Sequence, residues 1–475
     1  MPAPKKYQRK EFLKLALLTN LGLYAGPLNF LASPGTPIKP GDNVSYYKKG
    51  DAEYELLRKG FNKRIEEFPL IIALCKNTTG VSEAVKYAVQ NNLPVAIKSG
   101  GHCMEGFSCN NGGMVINLSL LNKIEWLDGE TINVGPGCTI SNLYDEILPK
   151  KKIIPGGSCG GVGVGGLVLG GGYGLLARRY GLSCDSLIGI TMVDGTGAIR
   201  NSADDKDLLW ACKGGGNGNF GVITELKFKL HKAPVSLQGF RFKSHKVDTT
   251  KARSILQKWF EVTEKLPTSC FSAFVLNKTT VYILLTNSAK HSNDVQQVVD
   301  TISAITEKTT KTKPQAIASA LKVFYGRPLP QNFKNASAGL YKNFADIEKC
   351  IDKVIGTVVV TPGMIYQVNT LGGNIQNIEF ENTSAFPHRA FPYFSELQTY
   401  WETEKQGTRL MEKFETVQNL FNSNGIKTQY RNYPDINFKN WEGLYYGDNY
   451  AKLQQVKNKY DPHNIIRHEQ SIKNI

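Results

Sequence analysis

Eleven of the nineteen residues from Gly156 to Gly174 are glycine, and no other stretch of the 475-residue chain constrains its fold as strongly. Glycine is destabilising inside helices and strands, so so dense a cluster predicts loop. Gly161-Val162-Gly163-Val164-Gly165-Gly166 matches the letters of a dinucleotide fingerprint, and Asp185 follows about twenty residues later. That fingerprint needs a helix directly after the glycines, to aim its N-terminus at a pyrophosphate. Gly170-Gly171-Gly172 falls where such a helix would run, so a Rossmann unit is rejected. Two further glycine loops occur in the same half of the chain, Ser99-Gly100-Gly101-His102 and Gly214-Gly215-Gly216-Asn217-Gly218-Asn219-Phe220-Gly221. Three such loops predict backbone N–H groups laid along a large, flat, diphosphate-bearing cofactor.

The rest of the chain is read around these loops. Leu70–Leu74 and Pro94–Lys98 read as strands flanking a helix over Val81–Asn91, an α/β order that continues to about Leu230. From Pro234 to about Lys427, helical patterns over 250–264 and 293–307 mix with strands over 271–276, 281–286 and 364–370. Antiparallel strands with helices on one side give an α+β second domain. A last segment carries a helix that ends at Asp461-Pro462. The nine cysteines form no CxxC pair, which excludes a zinc framework and a dense disulfide scaffold.

The net charge of +16 suits a nucleic-acid partner, an anionic cofactor or a solvated lysine surface. No basic-aromatic module supports nucleic acid, so no nucleic-acid partner is expected. After the N-terminus no apolar run is long enough to span a membrane. Lys5, Lys6, Arg9 and Lys10 precede a broken apolar stretch from Leu15 to Ala32. This resembles a twin-arginine export signal over residues 1–33 with Lys10 at the second arginine; a retained amphipathic helix is the alternative.

Six ordered motifs give the chain a family resemblance. They are the Ser99–His102 loop, the Gly157–Gly174 loop, Asp207–Gly221, Ala385-Phe386-Pro387-His388-Arg389, Tyr430-Arg431-Asn432-Tyr433-Pro434-Asp435, and a C-terminal set from Tyr446-Gly447-Asp448-Asn449 to Gln470-Ser471-Ile472. Together they resemble the berberine bridge enzyme-like and oligosaccharide-oxidase branch of the FAD-linked oxidases. The resemblance implies an α+β protein with a bipartite FAD-binding domain of the PCMH type at 40–235. A substrate domain at 236–430, whose antiparallel sheet covers the flavin, follows, and residues 431–475 return to the FAD domain. It also implies FAD bound covalently through His102 and Cys159. Lys98, Ser99, Gly100, Gly101, Val162, Gly163, Gly166, Gly170, Gly171, Tyr173, Gly221, Val222, Tyr446 and Asn449 would contact the cofactor. Two departures stand out: Lys98 replaces the family's usual arginine, and Leu167 replaces a histidine that supports the flavin N1–C2=O edge or the ribityl chain.

The activity implied is oxidation of an alcohol, such as the anomeric carbon of a sugar, with O2 reduced to H2O2. An aromatic or alkaloid-type oxidase and a flavin carrier without turnover are the alternatives. Tyr430 is expected to be the base, with Asn432 on the same strand face and Arg431 and Tyr433 on the other. A phenol needs its pKa lowered for that task. Asn369, where the sugar-oxidase branch has a carboxylate, cannot lower it by charge. The partners expected are a small-molecule substrate and O2, for an exported monomer or small oligomer.

Overall fold

The computed structural model describes residues 41–326 and 329–475, and the export-signal reading of 1–33 lies outside them. The first sheet has the order Val44–Tyr47, Ile71–Cys75, Met114–Asn117, Val95–Lys98, with the last three strands parallel. Met114–Asn117 is buried throughout, as expected of a central strand covered on both faces. The helix between the second and fourth of these strands runs Thr78–Gln90. Asn77 caps it by accepting the Gly80 N–H, and Val81, Ala84, Val85 and Ala88 form its buried stripe.

A second, antiparallel sheet of five strands has the order Ile124–Trp126, Thr131–Val134, Gly221–Lys229, Leu187–Asp194, Ile199–Asn201. The glycine run leads into a six-residue helix, Val164–Leu169, where loop was expected. Apolar Val164, Val168 and Leu169 are buried there and override the neighbouring glycines. The helix stops at Gly170, because Gly171 and Gly172 take φ of +117° and +81°. Among the described residues the surrounding sheet is antiparallel, so the rejection of a Rossmann unit stands.

The third sheet is antiparallel and contains eight strands, among them Ser236–Ser244, Cys270–Asn277, Thr280–Asn287, Asn332–Tyr341, Met364–Thr370 and Tyr393–Trp401. Tyr393–Trp401 states its logic. Tyr393 and Leu397 point into a core shared with the helices Thr249–Thr263, Glu348–Val360 and Glu404–Ser423. Phe394 and Glu396 alternate onto the opposite face, toward the glycine loops. Trp259, Phe274, Ile351, Val354, Leu410 and Phe414 fill the helix side.

Buried charges join the layers. Lys334 of the third sheet bonds both Glu105, from the loop after His102, and Asp435, from the Tyr430 segment, with all three side chains at most 2% exposed. Arg64 adds a second cation to Glu105 at 2.7 Å. Removing one partner of such a set strands a buried charge, so the cluster fixes the two segments against each other. Among the described residues no helix is long and apolar enough to cross a membrane.

Candidate active site

The glycine loops meet the third sheet in one cleft. Gly172 N–H donates to Tyr430 Oη at 2.9 Å, and Asn432 Nδ2 donates to the same oxygen at 3.0 Å. Asn432 Nδ2 also reaches the Leu167 carbonyl at 2.9 Å, and its Oδ1 accepts from Asn217 Nδ2 at 2.9 Å. A Cβ on Gly170 would overlap Asn432 Oδ1, so only glycine admits this arrangement. Residues 428–433 form no strand, and 430–433 close a turn where a strand was expected. Tyr433 N–H bonds the Tyr430 carbonyl at 3.0 Å, which brings Tyr433 beside Tyr430 with ring centroids 5.6 Å apart. Tyr433 therefore shares the cleft with Tyr430, and Arg431 alone points elsewhere.

Tyr173, Phe386 and Phe394 stand edge-on around Tyr430, at centroid distances of 5.8, 6.0 and 5.3 Å. Burial pushes the Tyr430 phenol above its usual value, against the two donors that favour its phenolate. The lowered phenol pKa expected of a base is not met.

A carboxyl group does lie in the cleft. Glu396, 3% exposed, accepts from Asn335 Nδ2 at 3.0 Å, Asn369 Nδ2 at 3.2 Å and Tyr173 Oη at 3.3 Å. Asn369 stands where a carboxylate was looked for, and it hands its hydrogen bond to a carboxylate on the adjacent strand. Gln367 Nε2 orients the Asn369 amide at 2.8 Å, and Gln398 Nε2 in turn reaches Gln367 at 3.3 Å. Burial raises the Glu396 pKa above the ordinary carboxyl range, opposed by its amide and phenol donors. Sequence reading missed Glu396. Its signal was a single acid in the otherwise apolar and neutral strand Tyr393–Trp401.

On the opposite side, His102 stacks on Phe61 with centroids 4.4 Å apart, and a Cβ on Gly161 would lie 3.4 Å from its Nε2. Burial lowers its pKa to about 4, so the imidazole is neutral and nucleophilic near pH 7. Cys159 is a free, exposed thiol whose pKa rises through burial of its surroundings and then through the Glu396 charge. Ser99 Oγ bonds the Pro136 carbonyl at 2.5 Å, Gly100 packs on Gly163, and Gly101 takes a φ of +68°. Val162 borders the core, and Gly166 opens onto free space.

Several of the residues expected to contact the cofactor also make contacts within the fold. Lys98 Nζ bonds the carbonyls of Leu57 and Lys59. Gly221 makes room for Met192, Val222 is fully buried, and Asn449 holds the Ala385 carbonyl. Tyr446 Oη takes Arg431 Nε at 3.0 Å. All nine cysteines are free.

The cleft fits a flavin. Its floor is glycine backbone, a neutral imidazole and a thiol stand at one edge, and the buried Asn217 Oδ1 has no protein partner. Sequence comparisons agree. The FAD binding domain family matches residues 69–202, and the berberine and berberine-like family matches 429–473. Uncharacterized FAD-linked oxidoreductase YgaK of Bacillus subtilis is 31% identical over 89% of this chain and 95% of its own length. Chitooligosaccharide oxidase of Gibberella zeae is 27% identical over 87% of this chain and 89% of its own. The solved structure of Physcomitrella patens BBE-like 1 has the same fold, with a TM-score of 0.82 at 22% identity over 90% of this chain and 97% of that one. The fold and cleft define an FAD-linked oxidoreductase. The chain belongs to the berberine bridge enzyme-like FAD-linked oxidases, built on a PCMH-type FAD-binding fold.

Proposed function

We propose that this protein oxidises an alcohol carbon, the anomeric carbon of a sugar or a comparable secondary alcohol, and reduces O2 to H2O2. The observation that carries the reading is Glu396, a buried carboxyl in a cleft lined by neutral amides. Asn335, Gln367, Asn369 and Gln398 offer both donors and acceptors, the chemistry that suits a hydroxyl-rich substrate. When bound, FAD supplies the acceptor for a hydride from the substrate carbon and the route for two electrons to oxygen. His102 and Cys159 would hold it covalently, and the glycine backbone would carry its polar edge.

The chain's own groups manage the proton. Glu396 takes the substrate hydroxyl proton: a carboxyl is intrinsically a far stronger acid than a phenol, and burial pushes the Tyr430 phenol further from the ionised form that a base needs. Tyr430 Oη already accepts two hydrogen bonds, so its own hydrogen is free to hold the substrate oxygen. This reassigns Tyr430 from base to orienting donor, with Asn432 fixing it. Tyr173 Oη donates to Glu396 and steadies its carboxylate.

The tyrosine and phenylalanine box around Tyr430 favours a second reading, an aromatic alcohol as substrate. Residues 40–235 would bind the cofactor, 236–430 the substrate, and 431–475 would close the cleft. The basic N-terminus supports export. The test is anaerobic flavin reduction by aldoses, oligosaccharides and aromatic alcohols, followed by peroxide release in air. Reduction by the carbohydrates supports the first reading and reduction by aromatic alcohols alone supports the second. Reduction by amines with every alcohol inert would overturn both.

A further inference from the structure

Arg431 lies between Tyr430 and Asn432 in sequence, yet its side chain leaves the cleft and is 4% exposed. Nε donates to Tyr446 Oη at 3.0 Å, and Nη2 lies 3.2 Å from His468 Nε2. The rings of Phe107 and Tyr445 each stand 5.6 Å from the guanidinium carbon. Among the described residues no carboxylate is within ion-pair distance of it. Among the other buried cations, Arg389 pairs with Asp185, Lys334 with Glu105 and Asp435, and Lys457 with Asp461, whereas Lys98 and Lys213, like Arg431, have no carboxylate partner. Arg178 turns to three backbone carbonyls. A charged guanidinium taken out of water without a counter-charge is costly, and proteins retain such groups where a charge is needed.

The groups that face Arg431 leave its charge whole. Cys103 stays a neutral thiol, since burial pushes its pKa up further than Arg431 and two backbone N–H groups pull it down. His468 stays neutral as well, held well below its usual pKa by burial and then by the Arg431 charge. Tyr445 is pushed upward by burial and stays a phenol. The acids that act on its neighbours are already committed: Glu105, beside Cys103, to Lys334 and Arg64, and Asp435, beside Tyr445, to Lys334.

Two of its neighbours adjoin the cleft. Cys103 directly follows His102 in the chain. Asn217, whose backbone carbonyl accepts from the His468 ring, holds Asn432 with its side chain and leaves its own Oδ1 without a protein partner. We propose that Arg431 is the buried positive charge against which the bound isoalloxazine holds negative charge, the task that Leu167 cannot perform. This rests on the FAD reading. A neutral oxidised ring that receives a hydride from the substrate carbon gains two electrons and one proton, and so becomes an anion. A fixed cation in a low-dielectric wall favours that state through its field, without touching the ring.

The experiment uses the FAD-loaded full chain and sulfite as probe. Sulfite adds to the oxidised ring and leaves the same single negative charge, and it is read by bleaching of the flavin absorbance. Arg431→Met weakens sulfite binding tenfold or more and moves the midpoint potential to more negative values at full FAD loading. Arg431→Lys stays within a few-fold of wild type. A second variant guards against a failure to fold: Cys103→Asp places a carboxylate beside the guanidinium, so it stabilises the protein while weakening sulfite binding as the methionine variant does. Wild-type sulfite affinity and potential in Arg431→Met or Cys103→Asp would overturn the proposal. So would a loss of FAD loading in which the loaded fraction keeps wild-type affinity, because the charge would then serve the diphosphate. A wild-type protein purified without any flavin would instead overturn the FAD reading.

Discussion

Replacing Glu396 by glutamine removes the carboxylate and keeps the shape. The carboxyl accepts three hydrogen bonds at 3.0–3.3 Å, from Asn335, Asn369 and Tyr173. A glutamine keeps one acceptor oxygen and turns an NH2 group toward donors that are already NH2 or OH. One opposed donor pair in a site this buried costs about 1–3 kcal/mol, so the variant folds with a modestly lower melting temperature. Chemistry suffers more. Loss of a positioned general base slows the step about 10²–10⁴-fold, which is roughly 3–5 kcal/mol on the barrier. The pH profile separates the base from a packing role. Burial raises the Glu396 pKa, so in the wild type flavin reduction falls as pH drops through that raised value, where the carboxylate takes up a proton. In Glu396→Gln this acid limb disappears while the rate stays low throughout. The assay is single-turnover flavin reduction in stopped flow, without oxygen, from pH 5 to 9. A reduction rate within a few-fold of wild type, or an unchanged acid limb, would refute the assignment.

Tyr430→Phe removes the orienting donor and leaves Gly172 N–H and Asn432 facing a ring edge, so reduction slows about 10²-fold while the acid limb persists; persistence of that limb is what distinguishes it from Glu396→Gln. Val162→Ile adds a methylene in the loop beside Cys159, and reoxidation by O2 is expected to slow while reduction is spared; equal reoxidation traces would contradict this. His388 is buried and bonds the Leu444 carbonyl, and its pKa falls from 6.5 to about 4 on folding. Its folded state refuses a proton that the unfolded chain accepts. Stability is therefore full above pH 6.5 and declines by on the order of 3 kcal/mol as pH falls toward 4. Urea midpoints across that range test it, and a midpoint that rises on acidification would exclude it.

Much of the architecture was legible because it is written in short-range pattern. The strands at 71–75 and 95–98 and the helix at 78–90 follow from apolar spacing, while the Asn77 cap, which starts the helix three residues before the expected Val81, was not read. The Val164–Leu169 helix was not legible, since glycine content argued for loop and only tertiary burial of its apolar residues overrode it. The turn at 430–433 hid for a related reason: Tyr430-Arg431-Asn432-Tyr433 has strand composition, and the i→i+3 bond that closes it depends on its neighbours. Glu396 and Asn369 show where spacing alone runs out. The carboxylate sits on a different strand, and antiparallel register, with Gln367 opposite Glu396, brings it beside Asn369. Lys98 was expected from its motif to contact the cofactor, and its bonds to the Leu57 and Lys59 carbonyls were not legible, because the chain that supplies them lies some forty residues earlier.

The central claim is a flavin tethered by His102 and Cys159 beneath Glu396 and Tyr430. It is tested most directly by mass spectrometry of the denatured protein and its peptides. The account expects FAD on both residues in the wild type, FAD retained through the other residue in His102→Ala or Cys159→Ala, and free FAD only when both are changed. Complete release of flavin from the wild-type protein on acid precipitation would contradict it.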